Sequence, residues 1–180
     1  MNPAPNLVLV GPMGAGKSSI GRRLAERFGL AFVDADAFIE QRTGASISAI
    51  FDHVGEAGFR ERERQALAEL LAGSGQLVAT GGGAVLDADN CRLMRERGFV
   101  VYLTAGIDSQ LKRLGRDRTR PLLQRGDREQ VLRDLAAHRE PLYRNVADLV
   151  MDTDGLTAAE ASSRLAVSLA DTWTITGATA

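Results

Sequence analysis

Gly11-Pro12-Met13-Gly14-Ala15-Gly16-Lys17-Ser18 decides the reading of this chain. It follows the apolar run Leu7-Val8-Leu9-Val10 and precedes an amphipathic pattern from Ile20 to Phe28. Strand, glycine-rich loop, Lys-Ser and helix, in that order, form a Walker A phosphate-binding loop. Gly11, Gly14 and Gly16 lack a Cβ, so the loop can curl and turn successive N–H groups inward. With the N-terminus of the following helix, those groups make a site for phosphate oxygens. Gly14, Ala15, Gly16, Lys17, Ser18 and Ser19 are therefore the expected triphosphate contacts. Lys17 reaches the β- and γ-phosphates, and the Ser18 hydroxyl ligates Mg²⁺. Lys17 and Lys112 are the only lysines among the 22 basic residues, and one of them stands where the motif needs it.

Working outward, 180 residues suffice for one domain with a full core. Hydrophobic residues make up 44% and charged residues 25%, an ordinary globular balance. The net charge of −1 gives no field that favours nucleic acid or an anionic membrane. The single cysteine, Cys91, forbids an internal disulfide and fits a reducing compartment. No signal peptide or membrane-length apolar run is evident, so the chain reads as cytoplasmic and monomeric. Residues 1–5 carry two prolines and read as frayed; the Thr/Gly/Ala-rich stretch 171–180 reads as a poorly ordered tail.

Strand-like and helix-like segments alternate. Strands are expected at 7–10, 31–33, 76–79, 99–103 and 148–151. Helices are expected near 17–28, 36–43, 46–53, 56–72, 87–97, 107–114, 127–139 and 157–169, with breaks at Gly44 and Gly55. Short strands, apolar on both faces, suit a buried parallel sheet, and the alternation argues a doubly wound α/β domain.

Four later stretches carry chemistry. Asp34-Ala35-Asp36 follows the second strand, at the edge where doubly wound folds bind ligands. One carboxylate can hold a Mg²⁺-bound water while the other accepts a proton from an acceptor hydroxyl; a helix N-cap with a first-turn acid is the plainer reading. Thr80-Gly81-Gly82-Gly83 closes the third strand, where a ligand must approach backbone or the chain must turn tightly. In Phe59-Arg60-Glu61-Arg62-Glu63-Arg64, Arg62 and Arg64 suit a solvated face. Arg60, beside Phe59, suits a half-buried clamp on carboxylate or phosphate. Arg139 precedes Pro141, where the helix is expected to end, and serves either as a helix cap or as a second clamp. The stretch from Arg113 to Arg128 also holds Arg116, Arg118, Arg120 and Arg125; it is either a solvated basic loop or a lid bringing charge onto a phosphoryl group. No guanine-specificity motif and no separate Walker B acid pair is present, against a GTPase or a motor-type ATPase.

The set G-P-M-G-A-G-K-S, D-A-D, F-R-x-x-E, G-G-G, R-P-L-L and R-x-x-x-Y, in that order, closely resembles shikimate kinase from about residue 6 to about 170. The resemblance implies a P-loop, nucleoside-monophosphate-kinase-like α/β fold. Its doubly wound, parallel five-stranded sheet would be flanked by helices, with a single domain over 1–170 and a mobile lid near 113–127. It implies phosphoryl transfer from MgATP to the 3-hydroxyl of shikimate, in the pathway to chorismate and the aromatic amino acids. Asp36 would activate the acceptor, and Asp34 would lie near Mg²⁺ through water. Arg60 and Arg139 would clamp the shikimate carboxylate, Gly81, Gly82 and Gly83 would line that site, and Phe51 and Phe59 would wall it. Arg120 would be the lid arginine that reaches the phosphates, and Arg113 would pack near adenine. Another small-metabolite kinase such as a gluconate kinase, a nucleotide kinase, and a nucleotide-binding regulator without turnover are the competing readings.

Overall fold

The computed structural model describes residues 2–115 and 127–175. Its main sheet is built from β2 (Asn6–Val10), β3 (Ala31–Asp34), β4 (Gln76–Ala79), β5 (Gly98–Thr104) and β6 (Leu149–Asp152), in the order β3-β4-β2-β5-β6. Every pairing is parallel: Leu7 faces Leu77 on one side and Phe99 on the other, and Val101 faces Leu149. The expected five-stranded, doubly wound parallel sheet is thus observed. From β2 the chain first builds toward β3 and β4, then crosses to β5 and β6. That reversal opens a crevice beyond the carboxyl end of β2, where the glycine-rich loop lies.

Alternation along the strands sorts the core into two layers. Leu7, Leu9, Leu77, Val101 and Leu103 pack toward α1 (Lys17–Phe28) and α7 (Ala158–Thr172), meeting Leu24, Leu165 and Leu169. Val8, Val10, Val78 and Val100 pack on the other face toward α3 (Ile47–Ala72), α4 (Ala88–Arg97) and α6 (Arg128–Val146), meeting Leu67, Leu71, Met94 and Val146. A third cluster, Ile39, Ile50, Phe59 and Ala66, joins α2 (Ala35–Thr43) to α3 and walls off a small subdomain over the crevice. Gly55 breaks α3 with φ 69° and ψ −177°, at the interruption expected from the sequence. The remaining helix, α5 (Ile107–Leu114), follows β5.

Three expectations are corrected. Residues 2–4 are not frayed: β1 (Asn2–Ala4) pairs in parallel with β7 (Trp173–Ile175) as a separate two-stranded sheet. Nor is the start of the tail irregular, because α7 runs to Thr172 and Trp173 is buried; residues 176–180 lie outside the described residues. Finally, α6 does not stop at Pro141 but continues to Val146. A proline lacks one helical N–H and crowds the preceding turn, and packing of Tyr143 and Val146 in the core offsets this cost.

Candidate active site

The phosphate-binding loop bends where its glycines allow. Gly14 and Gly16 have φ of 80° and 92°, and a Cβ on Gly11 would stand 2.3 Å from the Leu103 carbonyl oxygen. Only glycine tolerates both demands, which is why the loop can seat against β5. Lys17 folds back over the loop, its Nζ donating to the carbonyls of Gly11 (2.8 Å) and Pro12 (2.9 Å). A cavity of about 280 Å³ opens above, lined by Gly14, Gly16, Lys17, Ser18, Ser19, Asp34 and Arg113 among others. Ala15 is buried beneath it, where its side chain supports the loop.

Asp34 combines the two roles open from sequence. Its Oδ1 caps α2, accepting from the N–H groups of Asp36 (3.1 Å) and Ala37 (3.2 Å). Its Oδ2 accepts from the Ser18 hydroxyl at 2.5 Å. A hydroxyl and a carboxylate side by side at the phosphate loop are the hard oxygen donors Mg²⁺ takes, its remaining positions being filled by phosphate and water. The residues present fit that ion.

A second cavity, of about 270 Å³, adjoins the first and shares Met13, Asp34, Asp36, Gly81 and Gly82 with it. Arg60, Arg139, Gly83, Phe51 and Phe59 also line it, together with Arg22, Glu40 and Glu63 among others. The phenyl rings lie 4.8 Å apart, and the Arg60 guanidinium sits 5.2 Å from the Phe59 ring centre. Arg139 is buried, and its Nε and the Nε of Arg60 have no protein partner. Such donors leave hydrogen-bonding capacity for oxygens of water or a ligand beside the cavity. A Cβ on Gly83 would meet the Arg60 guanidinium at 2.3 to 2.5 Å, so glycine there is what lets the arginine lie flat over the strand end. The residues expected to hold the acceptor are therefore brought together around one chamber that opens onto the phosphate loop.

Glu63, the last position of the F-R-x-x-E motif, lines this chamber too, though the sequence alone assigns it no role. Glu63 is fully buried, and its Oε2 accepts from Arg60 Nη1 at 2.6 Å. Burial pushes its carboxyl above the ordinary value; Arg60 pulls against this, while the nearby Asp36 charge adds to it. Burial also opposes the Arg60 charge, but Glu63 and Glu56 outweigh it and hold the guanidinium up. The signal was present: Phe59, Glu63, Ala66, Leu67 and Leu70 fall on one buried stripe of α3. Arg64, by contrast, pairs with Glu61 on an exposed face, as expected.

Of the arginine-rich stretch, Arg113 donates to Gly14 O (2.8 Å), Thr153 Oγ1 (3.0 Å) and Thr153 O (2.7 Å), tying the phosphate loop to the turn after β6. Arg128 donates to the carbonyls of Leu114 (3.2 Å) and Gly115 (3.3 Å). Arg120 and most of the expected lid lie outside the described residues.

A family model described as shikimate kinase matches residues 13–170. A shikimate kinase of Stenotrophomonas maltophilia (strain R551-3) is 66% identical over 173 residues, covering 96% of each chain. One from Xanthomonas oryzae pv. oryzae (strain PXO99A) is 58% identical over the full length of both. Among solved structures, shikimate kinase from Acinetobacter baumannii in complex with shikimate superposes with a TM-score of 0.91 at 46% identity, covering 93% of this chain and 94% of the other. A chain with these relatives belongs to the shikimate kinase family.

Proposed function

We propose that the two chambers act as one site in which ATP phosphorylates the 3-hydroxyl of shikimate, giving shikimate 3-phosphate and ADP. The observation that carries this reading is the acceptor chamber: Arg60, Arg139, Asp36 and strand-end backbone lie together, opening on the phosphate loop through Asp34, Asp36, Gly81 and Gly82. Arg60 and Arg139 take the acceptor carboxylate; bidentate guanidinium pairing fixes its orientation as well as its charge. Asp36 takes the hydroxyl proton as the new O–P bond forms and the bond to the β-phosphate oxygen breaks. Lys17 leaves the loop carbonyls for the β- and γ-phosphates and stabilises the charge that spreads over the transferring group. Ser18 and Asp34, the latter through water, are the residues that would hold Mg²⁺, which when bound neutralises phosphate charge. Arg113 edges the nucleotide end of the phosphate chamber. Positioning accounts for most of the rate, because phosphoryl transfer needs little covalent chemistry from the protein. Lid closure with Arg120 over the phosphates belongs to the same proposal, as does work as a monomer in the cytoplasm. Among the described residues, no helix is long and apolar enough to cross a membrane.

The test is ADP release from MgATP with shikimate, quinate and gluconate offered separately. Shikimate-dependent release is expected; release with gluconate alone would favour the gluconate kinase reading instead.

Arg60→Ala is expected to raise the shikimate KM by about 10- to 100-fold, the worth of a charge-assisted pair, while the ATP KM stays within about twofold. The same change strands the buried Glu63 carboxylate and should lower the melting temperature as well. An unchanged shikimate KM would remove Arg60 from the clamp.

A further inference from the structure

Tyr143 lies one helical turn beyond Arg139 on α6, is buried, and has no part in the catalytic scheme. Its hydroxyl donates to the Gly82 carbonyl at 2.5 Å. Its ring stacks on Tyr102 of β5, with centres 5.0 Å apart and planes 27° apart. A Cβ built on Gly82 would be 3.5 Å from the Tyr143 hydroxyl, 3.6 Å from Arg139 Nη1 and 3.6 Å from the Gly11 carbonyl oxygen. That carbonyl also accepts from Lys17. Gly82 is thus enclosed by the acceptor arginine, the tyrosine and the phosphate loop.

We propose that Tyr143 is a positioning residue for the phosphoryl acceptor: its hydroxyl fixes the Gly82 backbone and the Arg139 guanidinium in one arrangement, so that the acceptor carboxylate and ring are held at a set distance from the phosphate loop. A phenol both donates and accepts, which suits it to join a carbonyl to a guanidinium. Burial pushes the Tyr143 hydroxyl up to about 12, with the Arg139 charge and hydrogen bond pulling against it, so the group stays a neutral donor throughout the working range. The Tyr102 ring keeps the phenol from rotating out of place. Neither tyrosine lines either chamber, so the effect on substrate is transmitted through Gly82 and Arg139. Small errors in acceptor placement cost binding and rate even when no contacting side chain has changed.

This inference rests on the acceptor chamber being the shikimate site. Tyr143→Phe keeps the ring and its stack, so the variant should fold. Its shikimate KM is expected to rise about 5- to 20-fold, with the ATP KM within about twofold. On an Arg139→Ala background, the same substitution should raise the shikimate KM by less than its effect alone, because both act on one carboxylate contact. Tyr102→Phe, which keeps the stack and removes only a hydroxyl whose charged neighbours are Glu140 and Arg144, should leave both KM values unchanged. A hydroxyl with only a structural role would lower the melting temperature of Tyr143→Phe and leave the shikimate KM untouched; that result would overturn the proposal, as would full additivity with Arg139→Ala. Wild-type enzyme that fails to turn over shikimate would instead overturn the assignment of the chamber, so the two failures are separable.

Discussion

Asp36→Asn is expected to reduce kcat by about 100- to 10,000-fold, the range general-base catalysis contributes, with ATP affinity changed less than about threefold. Asparagine has the same shape and keeps its N–H in the first turn of α2, where Asp34 Oδ1 caps it. The fold of the Asp34–Asp36 corner should therefore survive. What is lost is a group able to take the acceptor proton. The site is built to make that loss visible: Asp36 lines both chambers, whereas Lys17 and Ser18 line only the phosphate chamber. Coupled ADP release gives the rate, and equilibrium nucleotide titration gives the affinity. A variant retaining more than about a tenth of wild-type turnover would mean that the hydroxyl proton leaves by another route and that Asp36 mainly orients the acceptor.

Different parts of this protein were legible to different degrees, for physical reasons. The glycine-rich loop, Asp34-Ala35-Asp36 and Thr80–Gly83 lie at the carboxyl ends of adjacent strands, where composition and strand order alone put functional groups. Arg60 betrayed itself through Phe59: a cation beside an aromatic has one end in a pocket. Glu63 did not, because in the run Glu61-Arg62-Glu63-Arg64 a buried carboxylate looks like its solvated neighbours until the 59/63/66/67/70 stripe is traced. Pro141 misled for the opposite reason. The local cost of a proline is readable in sequence, while the tertiary packing of Tyr143 and Val146 that offsets it is not. Tyr143 ends the R-x-x-x-Y motif, but its contacts run to Gly82, 61 positions away, and to Tyr102 on another element, so the motif marks the residue without showing what it touches.

The tail shows the same limit as a prediction about stability. Trp173→Ala is expected to destabilise the protein by about 3–5 kcal/mol, the usual cost of emptying a buried tryptophan site. At this chain length, that corresponds to a melting temperature lower by roughly 6–20 °C. The indole is buried, its Nε1 donates to the Ala4 carbonyl at 3.2 Å, and its ring meets Phe28 edge-on at 5.8 Å and Phe99 at 6.5 Å. It therefore joins the first residues of the chain to the last described ones, across the amino-terminal ends of the central strands. A stretch rich in threonine and glycine reads as a loose end because three-residue strands have too few positions to show a period. One aromatic side chain with a place in the core outweighs that composition. The active site sits at the other edge of the sheet, so kcat at 25 °C should stay within about twofold while stability falls. Chemical denaturation monitored by far-UV circular dichroism measures the first effect and coupled ADP release the second. A loss under about 1 kcal/mol would mean that the β1–β7 pair is peripheral to the core rather than the clasp that closes it.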